Sequence, residues 1–326
     1  MVIEMFQENG ESMHESLIEN EEIMSNFSNK IAFIIATKNR RERLHHMLES
    51  LNNQSVHPDL IIIVDGGTQL VKDVQEDFPE LNLIYKTFFP ASAAKQRNFG
   101  LGEVSTDITL VGFLDDDVEL DSLATERLLS FWENAPAPIA GTALNMMNHP
   151  RLFASSLKYL PFAESLGLYS KKQGDVLPSA FQTMIGTVKN DVYVNWLPTG
   201  AVVWRKNIFE DYIFDEWFTD YSYLEDLDFS YRVGKKFRLM VLGEAKYYHY
   251  PALGGRGSDY RFGLREVKNR LYLVKKHSEF SLIKCYLALF VRMMMNIGFF
   301  LGEQSFHYFQ RAMGNAAGLI SSVLRI

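Results

Sequence analysis

The sequence predicts an α/β fold: a mostly parallel sheet flanked by helices, followed by a C-terminal helical extension. Three observations carry this. Apolar runs at 31–36, 60–64, 81–86, 108–114 and 139–144 alternate with segments of helical period, the rhythm of strand–helix–strand units. The fourth run leads straight into Asp115, Asp116 and Asp117, and the carboxyl ends of strands are where open α/β sheets hold ligands. From residue 260 onward the pattern is helical to the end of the chain.

Taken in order, residues 31–36 read as a buried strand and 41–52 as a helix with Leu44, Met47, Leu48 and Leu51 on one face. A second strand at 60–64 ends in Asp65, Gly66 and Gly67; a helix is expected over 70–78, a third strand over 81–86 and a helix over 92–102. The fourth strand, 108–114, precedes the three aspartates; a helix over 123–132 and a fifth strand over 139–144 follow. Residues 148–194 are irregular and aromatic-rich, which suits an insertion. Further on come a strand at 197–204, a short acidic helix at 224–233, two short strands at 238–242 and 245–249, a glycine-rich loop at 254–258 and a basic amphipathic helix at 260–277. The expected divisions are an acidic extension (1–29), two halves of the α/β domain (30–145 and 146–259) and the C-terminal helices (260–326).

The chain has 326 residues, 47% hydrophobic and 22% charged, enough for a sizeable core. Its net charge of −7 disfavours bulk nucleic-acid binding, so no nucleic-acid partner is expected. One cysteine, Cys285, excludes an intramolecular disulfide and a thiolate zinc cluster, and fits a cytoplasmic, reducing setting. The first thirty residues carry Glu4, Glu8, Glu11, Glu15, Glu19, Glu21 and Glu22 and lack the basic and apolar regions of a secretory leader. Residues 280–300 are near membrane-spanning length, but Arg292 in their middle would be costly at a bilayer centre. With 306–326, which carries Arg311, they read either as amphipathic helices lying in a membrane interface or as core or homodimer helices.

Three like charges closing a core strand repel one another and call for a counter-charge. A divalent cation supplies it, and hard oxygen ligands suit Mg²⁺ or Mn²⁺. The plainer reading is an acidic turn capping the helix that starts near Asp121.

Separated segments then fall into one ordered pattern: Thr37 to Arg40 after the first strand, Asp65-Gly66-Gly67 after the second, Lys95 to Gly100, the three aspartates, Glu225-Asp226-Leu227-Asp228, and Tyr248-His249. In this order the chain resembles the family 2 glycosyltransferases of GT-A fold, of the kind that builds bacterial surface polysaccharide. The resemblance spans about residues 30–277. It departs at Asp65-Gly66-Gly67, where the family often has a second acid and a serine.

The resemblance implies a metal-dependent, inverting transfer of a sugar from a nucleotide donor (UDP-, dTDP- or GDP-linked) to a hydroxyl of a glycan or lipid-linked acceptor. It implies base contacts from Thr37 and Asp65, and diphosphate or ribose contacts from Arg40, Arg97 and Asn98. Asp117 is the implied direct metal ligand, Asp115 a ribose or metal-water ligand, Asp116 an extra acid able to stand in for either, and His249 a further metal ligand. Asp226 is the implied general base with Glu225 as runner-up, Gly200 and Trp196 line the acceptor floor, and Arg256 is a lid candidate. Each has a plainer alternative: helix caps for Glu225 and Asp226, exposed helix faces for Arg40, Arg97 and Asn98, a structural histidine for His249. The basic helix and apolar C-terminus point to a peripheral contact at the cytoplasmic face of a membrane. A nucleotidyltransferase would carry a glycine-rich loop after the first strand, which residues 37–41 lack. A non-catalytic scaffold would have lost acids from one cluster, and both are intact.

Overall fold

The computed structural model describes residues 27–149, 157, 162–219, 221–251 and 257–324. Residues 1–26 of the expected acidic extension, most of 150–161, and Arg256 with the start of its loop lie outside the described residues.

The strands are β1 (Ile31–Thr37), β2 (Leu60–Asp65), β3 (Leu83–Thr87), β4 (Leu110–Asp115), β5 (Val118–Leu120), β6 (Ile139–Met146), β7 (Val192–Val194), β8 (Ala201–Arg205) and β9 (Arg238–His249). The helices are α1 (Arg41–Asn52), α2 (Ala93–Leu101), α3 (Ala124–Glu133), α4 (Glu225–Gly234), α5 (Asp259–Lys276), α6 (Leu282–Glu303) and α7 (Phe306–Val323). One sheet runs β3-β2-β1-β4-β8-β6-β9-β5, with β7 added against β9.

Alternation along the central strands builds a core on each face. Ile31, Phe33 and Ile35 of β1 pack with Leu44, Met47, Leu48 and Leu51 of α1. Ala32 and Ile34 turn the other way, toward Ala94 of α2 and Phe229 and Val233 of α4. This period of two, with both phases apolar, is what a strand covered on both faces requires.

The sheet is mixed rather than mostly parallel. β3, β2, β1 and β4 are parallel, but β8 runs antiparallel to both β4 and β6, and β5 and β7 run antiparallel to β9. The reversal has a topological cause. β8 is reached through the long irregular excursion after β6 instead of a helical crossover, and only a crossover keeps neighbouring strands parallel. Two further expectations are corrected, and two short strands were not expected. Residues 70–78 hold a single 3-10 turn, Lys72–Gln75, because the Val71 N–H is drawn to Asp65 and Tyr85. The two strands expected over 238–249 are one, and β5 and β7 are short edge strands too brief to show a period.

The C-terminal helices pack on the body. α5 and α7 cross with backbones nearly touching: a Cβ on Gly314 would meet the Tyr260 carbonyl oxygen, and one on Gly263 the Arg311 carbonyl oxygen. Buried Asn296 of α6 donates to Asn315 of α7 at 2.9 Å, and Asn315 donates to the Gly263 carbonyl at 3.0 Å. Trp196, Leu227, Val267, Leu271 and Leu289 form a third core cluster that ties these helices to α4. α6 is nonetheless long and apolar enough to cross a membrane, with mean hydropathy 1.6.

Candidate active site

The carboxyl ends of β1 and β4 and the start of α4 open on one cavity of ≈ 1030 Å³. Parallel register sets Ala36 of β1 beside Asp115 of β4. Antiparallel register sets Val118 of β5 beside His249 of β9, and the Tyr250 N–H donates to the Asp117 carbonyl at 2.8 Å. His249 is thereby delivered to the aspartates from more than a hundred residues away. Its Nε2 lies 3.1 Å from Asp117 Oδ1, and ligand atoms of Asp115, Asp117 and His249 all fall within 4.8 Å of one another. Two carboxylates and one imidazole at that spacing suit one divalent cation. The acids sit at the strand end, well before α3 begins, so they do not cap that helix.

Asp116 takes a different place. It is 3% exposed, accepts from Thr37 Oγ1 at 2.7 Å and from Arg40 Nη1 at 2.7 Å, and stays out of the Asp115–Asp117–His249 cluster. Burial pushes its carboxyl up to about 6, against the pull of Arg40 and Thr37. Arg40 also approaches Asp117 at 3.6 Å.

Arg97 joins the two acidic clusters. Only 5% exposed, it donates to Asp115 Oδ1 at 3.0 Å and to Glu225 Oε1 at 2.6 Å. A guanidinium can do this because its donors diverge in a rigid plane. Glu225 and Asp226 open α4, immediately after Leu224, whose φ of 78° is a left-handed conformation that a bulky residue holds at a cost of about 1–3 kcal/mol. Leu224 is 2% exposed, and its packing in the third core cluster holds the turn. Burial, and then the neighbouring Asp226, pushes the Glu225 carboxyl up to about 8; Arg97 opposes this only in part. Burial lifts Asp226 to about 6, against the Leu227 N–H, which donates to its Oδ1 at 2.7 Å, and against Arg97.

The acceptor-side expectations meet at the same cavity. Trp196 and Gly200 line it, and Trp196 is anchored by its Nε1–H to the Thr183 carbonyl at 3.0 Å. A Cβ on Gly200 would sit 3.6 Å from Asp115 Oδ2, an ordinary contact. Sequence reasoning missed Gln182, Tyr221, Tyr223, Tyr247 and Phe262, which also line it, and the cavity role of Arg292 and Arg311. The signal for the two arginines was present: each is a charge set in an otherwise apolar helix.

Two expected donor ligands are elsewhere. Asp65 is fully buried and off the cavity wall; its oxygens accept from Gly67 N–H at 2.7 Å, Val71 N–H at 3.2 Å and Tyr85 O–H at 2.6 Å, so it organises the turn after β2. Asn98 also lies off the wall. Its amide donates to the Phe214 carbonyl and Glu216 and accepts from the Phe214 N–H, pinning that segment to α2. The helix turn between Arg97 and Asn98 sends one side chain into the cavity and the other away. Arg256 lies outside the described residues.

A family model described as "Glycosyl transferase family 2" matches residues 32–175. A comparison with curated proteins finds no match. Among solved structures, GalNAc-T7 with UDP, GalNAc and Mn²⁺ superposes with a TM-score of 0.57 at 12% identity, covering 82% of this chain and 51% of that one. The mannosyltransferase PcManGT from Pyrobaculum calidifontis, in complex with GDP-Man and Mn²⁺, gives 0.52 at 13% identity over 92% and 87%. S. aureus TarS 1-349 in complex with UDP-GlcNAc gives 0.50 at 17% identity over 83% and 72%. Of a longer TarS chain, TM-score 0.48, this protein spans 43%. The superpositions give a GT-A-like fold, and residues 32–175 are similar to the family 2 glycosyltransferases.

Proposed function

We propose that the protein transfers a sugar, with inversion, from a nucleotide-sugar donor to an acceptor hydroxyl. The observation that carries this is one cavity with two acidic clusters joined through Arg97: a cation-ready set of Asp115, Asp117 and His249, and an α4 start offering Asp226. That solved structures of similar fold hold UDP-GlcNAc or GDP-Man supports a UDP-, dTDP- or GDP-linked donor.

Asp226 is the general base. It takes the acceptor hydroxyl proton as that oxygen attacks the anomeric carbon, and the bond from that carbon to the diphosphate oxygen breaks in the same displacement. With its carboxyl near 6, Asp226 is largely ionised at neutral pH yet basic enough to receive a proton. Glu225 is the weaker candidate because its Oε1 is engaged by Arg97. Thr37 and Arg40 hold Asp116 beneath the donor site, and Arg97 and Arg40 offer cationic donors to the diphosphate. A cation held by Asp115, Asp117 and His249 would supply Lewis-acid stabilisation of the leaving diphosphate. The imidazole favours Mn²⁺ over Mg²⁺, whose ligands are nearly all oxygen. Trp196 and Gly200 form the acceptor floor for a glycan or lipid-linked substrate. Exposed Ile283, Phe290 and Leu301 on α6 and Ile320 and Val323 on α7 support a peripheral contact with the cytoplasmic face of a membrane.

The test is a thermal-shift panel of UDP-, dTDP- and GDP-sugars, each with and without Mn²⁺. A ligand at a hundred times its Kd adds about 2.7 kcal/mol to the native state. Stabilisation by one nucleotide class, dependent on metal and lost in Asp117→Ala, is expected. No response to any donor would overturn the proposal.

A further inference from the structure

The far wall of the cavity is built by the C-terminal helices, and its charge does not balance. Glu266 of α5, 1% exposed, is surrounded by arginines. Arg311 of α7 donates to its Oε1 at 3.3 Å, Arg292 of α6 lies 3.5 Å from the same oxygen, and Asn315 donates to Oε2 at 3.1 Å. Arg270, 2% exposed, adds a third guanidinium from α5 and donates to the Ala180 carbonyl oxygen. Burial works against the Glu266 carboxylate, yet Arg311, Arg292, Asn315 and Arg270 together keep its pKa below the usual range.

Glu266 therefore faces three permanently charged groups, of which Arg270 also acts on Asp226, so Arg292 and Arg311 share Glu266. The Nε atoms of Arg270, Arg292 and Arg311 are buried with no hydrogen-bond partner among the described residues, that of Arg292 reaching Glu266 only at ion-pair distance. Buried polar groups without partners are rare and costly, and charged ones most of all. Arg292 and Arg311 both line the cavity that holds Glu225, Asp226 and Trp196. Arg311 is stacked 4.3 Å over the Phe262 ring, which fixes its plane and leaves its edge for a ligand. Gln182 Oε1, on the same cavity, is also buried and unpartnered among the described residues, an acceptor suited to a hydroxyl.

We propose that Arg292 and Arg311 bind a phosphate group carried by the acceptor, so that the sugar is added to a phosphorylated substrate. This deepens the glycosyltransferase reading and rests on it. A phosphate ester supplies the missing negative charge and the oxygens that guanidinium donors pair with most strongly. It also gives α6 and α7 a place in the enzyme: they complete the acceptor end of the cavity, with their arginines turned inward against Glu266 and their apolar residues on the outside. The Asn296–Asn315 contact and the Gly263–Gly314 crossing fix the register that brings the two arginines to one place.

The test uses the full chain in EDTA, with inorganic phosphate titrated calorimetrically. Saturable binding is expected, weakened about tenfold or more in Arg292→Gln and in Arg311→Gln, since each loses a charge-assisted contact. Arg292→Lys and Arg311→Lys keep the charge and retain most of the binding, while Glu266→Gln, which removes the competing carboxylate, tightens it. UDP and GDP with Mn²⁺ are titrated in parallel and bind wild type and the arginine variants alike. Sources are separated by sn-glycerol 3-phosphate against phosphatidylcholine vesicles with one-fifth phosphatidic acid. Arginine-dependent binding to these vesicles but not to glycerol phosphate assigns a lipid-borne phosphate, and the converse a soluble one. Equal phosphate binding in wild type and both glutamine variants overturns the proposal. So does a matching loss of nucleotide binding, which would hand the arginines to the donor diphosphate. Failure of nucleotides to bind wild type while phosphate still does would count against the donor site alone.

Discussion

Replacing Asp226 by asparagine removes the proposed base while changing almost nothing else. The amide oxygen can still accept the Leu227 N–H now held at 2.7 Å, and the volume is conserved. What disappears is the carboxylate basicity that the proposed mechanism uses to take the acceptor proton. Positioned general bases contribute about 10²–10⁴-fold, so kcat is expected to fall by that factor while nucleotide-sugar binding stays unchanged. The pH profile separates this from a structural effect. Wild-type Asp226 has its carboxyl lifted to about 6, so kcat/KM should fall about tenfold per pH unit below that value, and the variant should lack this acid limb. Stability moves the opposite way to activity. The folded-state pKa lies above the ordinary 3.8, so the native protein binds this proton more tightly than the unfolded chain. The resulting penalty grows as pH rises from about 4 to 6 and persists above. The Asp226→Asn variant escapes it, so it should melt at or above the wild-type temperature at pH 7.5 and lose that advantage near pH 4. Initial-rate kinetics across pH 5–9 with parallel melting curves decide the matter. A kcat within tenfold of wild type, with the acid limb intact, would refute the assignment and move the base to another group.

Stripping divalent ions with EDTA should abolish transfer and Mn²⁺ should restore it; in His249→Ala the Mn²⁺ needed for half-maximal rate should rise by about tenfold or more, read by activity against free metal. Asp65→Asn places an amide donor against the N–H and O–H groups that the carboxylate now accepts, and should cost about 1–3 kcal/mol in urea unfolding. Gly314→Ala forces α7 away from the Tyr260 carbonyl oxygen and should cost about 1–3 kcal/mol or more, measured the same way.

What could be read in the sequence followed from local pattern. Strands β1, β2 and β4 and helix α1 announced themselves because each packs an uninterrupted apolar face, and helix boundaries at Arg41 and Asn52 were legible from periodicity alone. Asp115, Asp117 and His249 were legible as an ordered set of motifs, and the β5–β9 register is what converts that order into proximity. Asp65 and Asn98 stand off the cavity wall for one shared reason. A carboxylate or amide beside a binding motif can serve the ligand or the backbone, and only the tertiary partners, Val71 and Tyr85 for one and Phe214 for the other, decide which. The antiparallel half of the sheet was hidden because strand direction depends on the path of the intervening chain, and residues 148–194 carry no period from which to infer that path.

The arginines explain why so many carboxylates tolerate one cavity. Arg40 answers Asp116, and Arg97 answers Asp115 and Glu225 at once. Arg40 also approaches Asp117, whose Oδ1 meets His249, and Asp226, near 6, lies at the other side of Arg97. Asp115 gives Oδ1 to Arg97 and so has Oδ2 for a cation. Arg97 thus links the proposed cation set to the proposed base: it holds Asp115 and Glu225, one residue before Asp226, on a single rigid plane. In-line displacement depends on that spacing, because base and leaving group must face each other across the sugar. A lysine at this position could reach both acids only if they converged on its single nitrogen, as Asp215 and Asp228 do on Lys276, whereas the guanidinium holds them apart on two nitrogens.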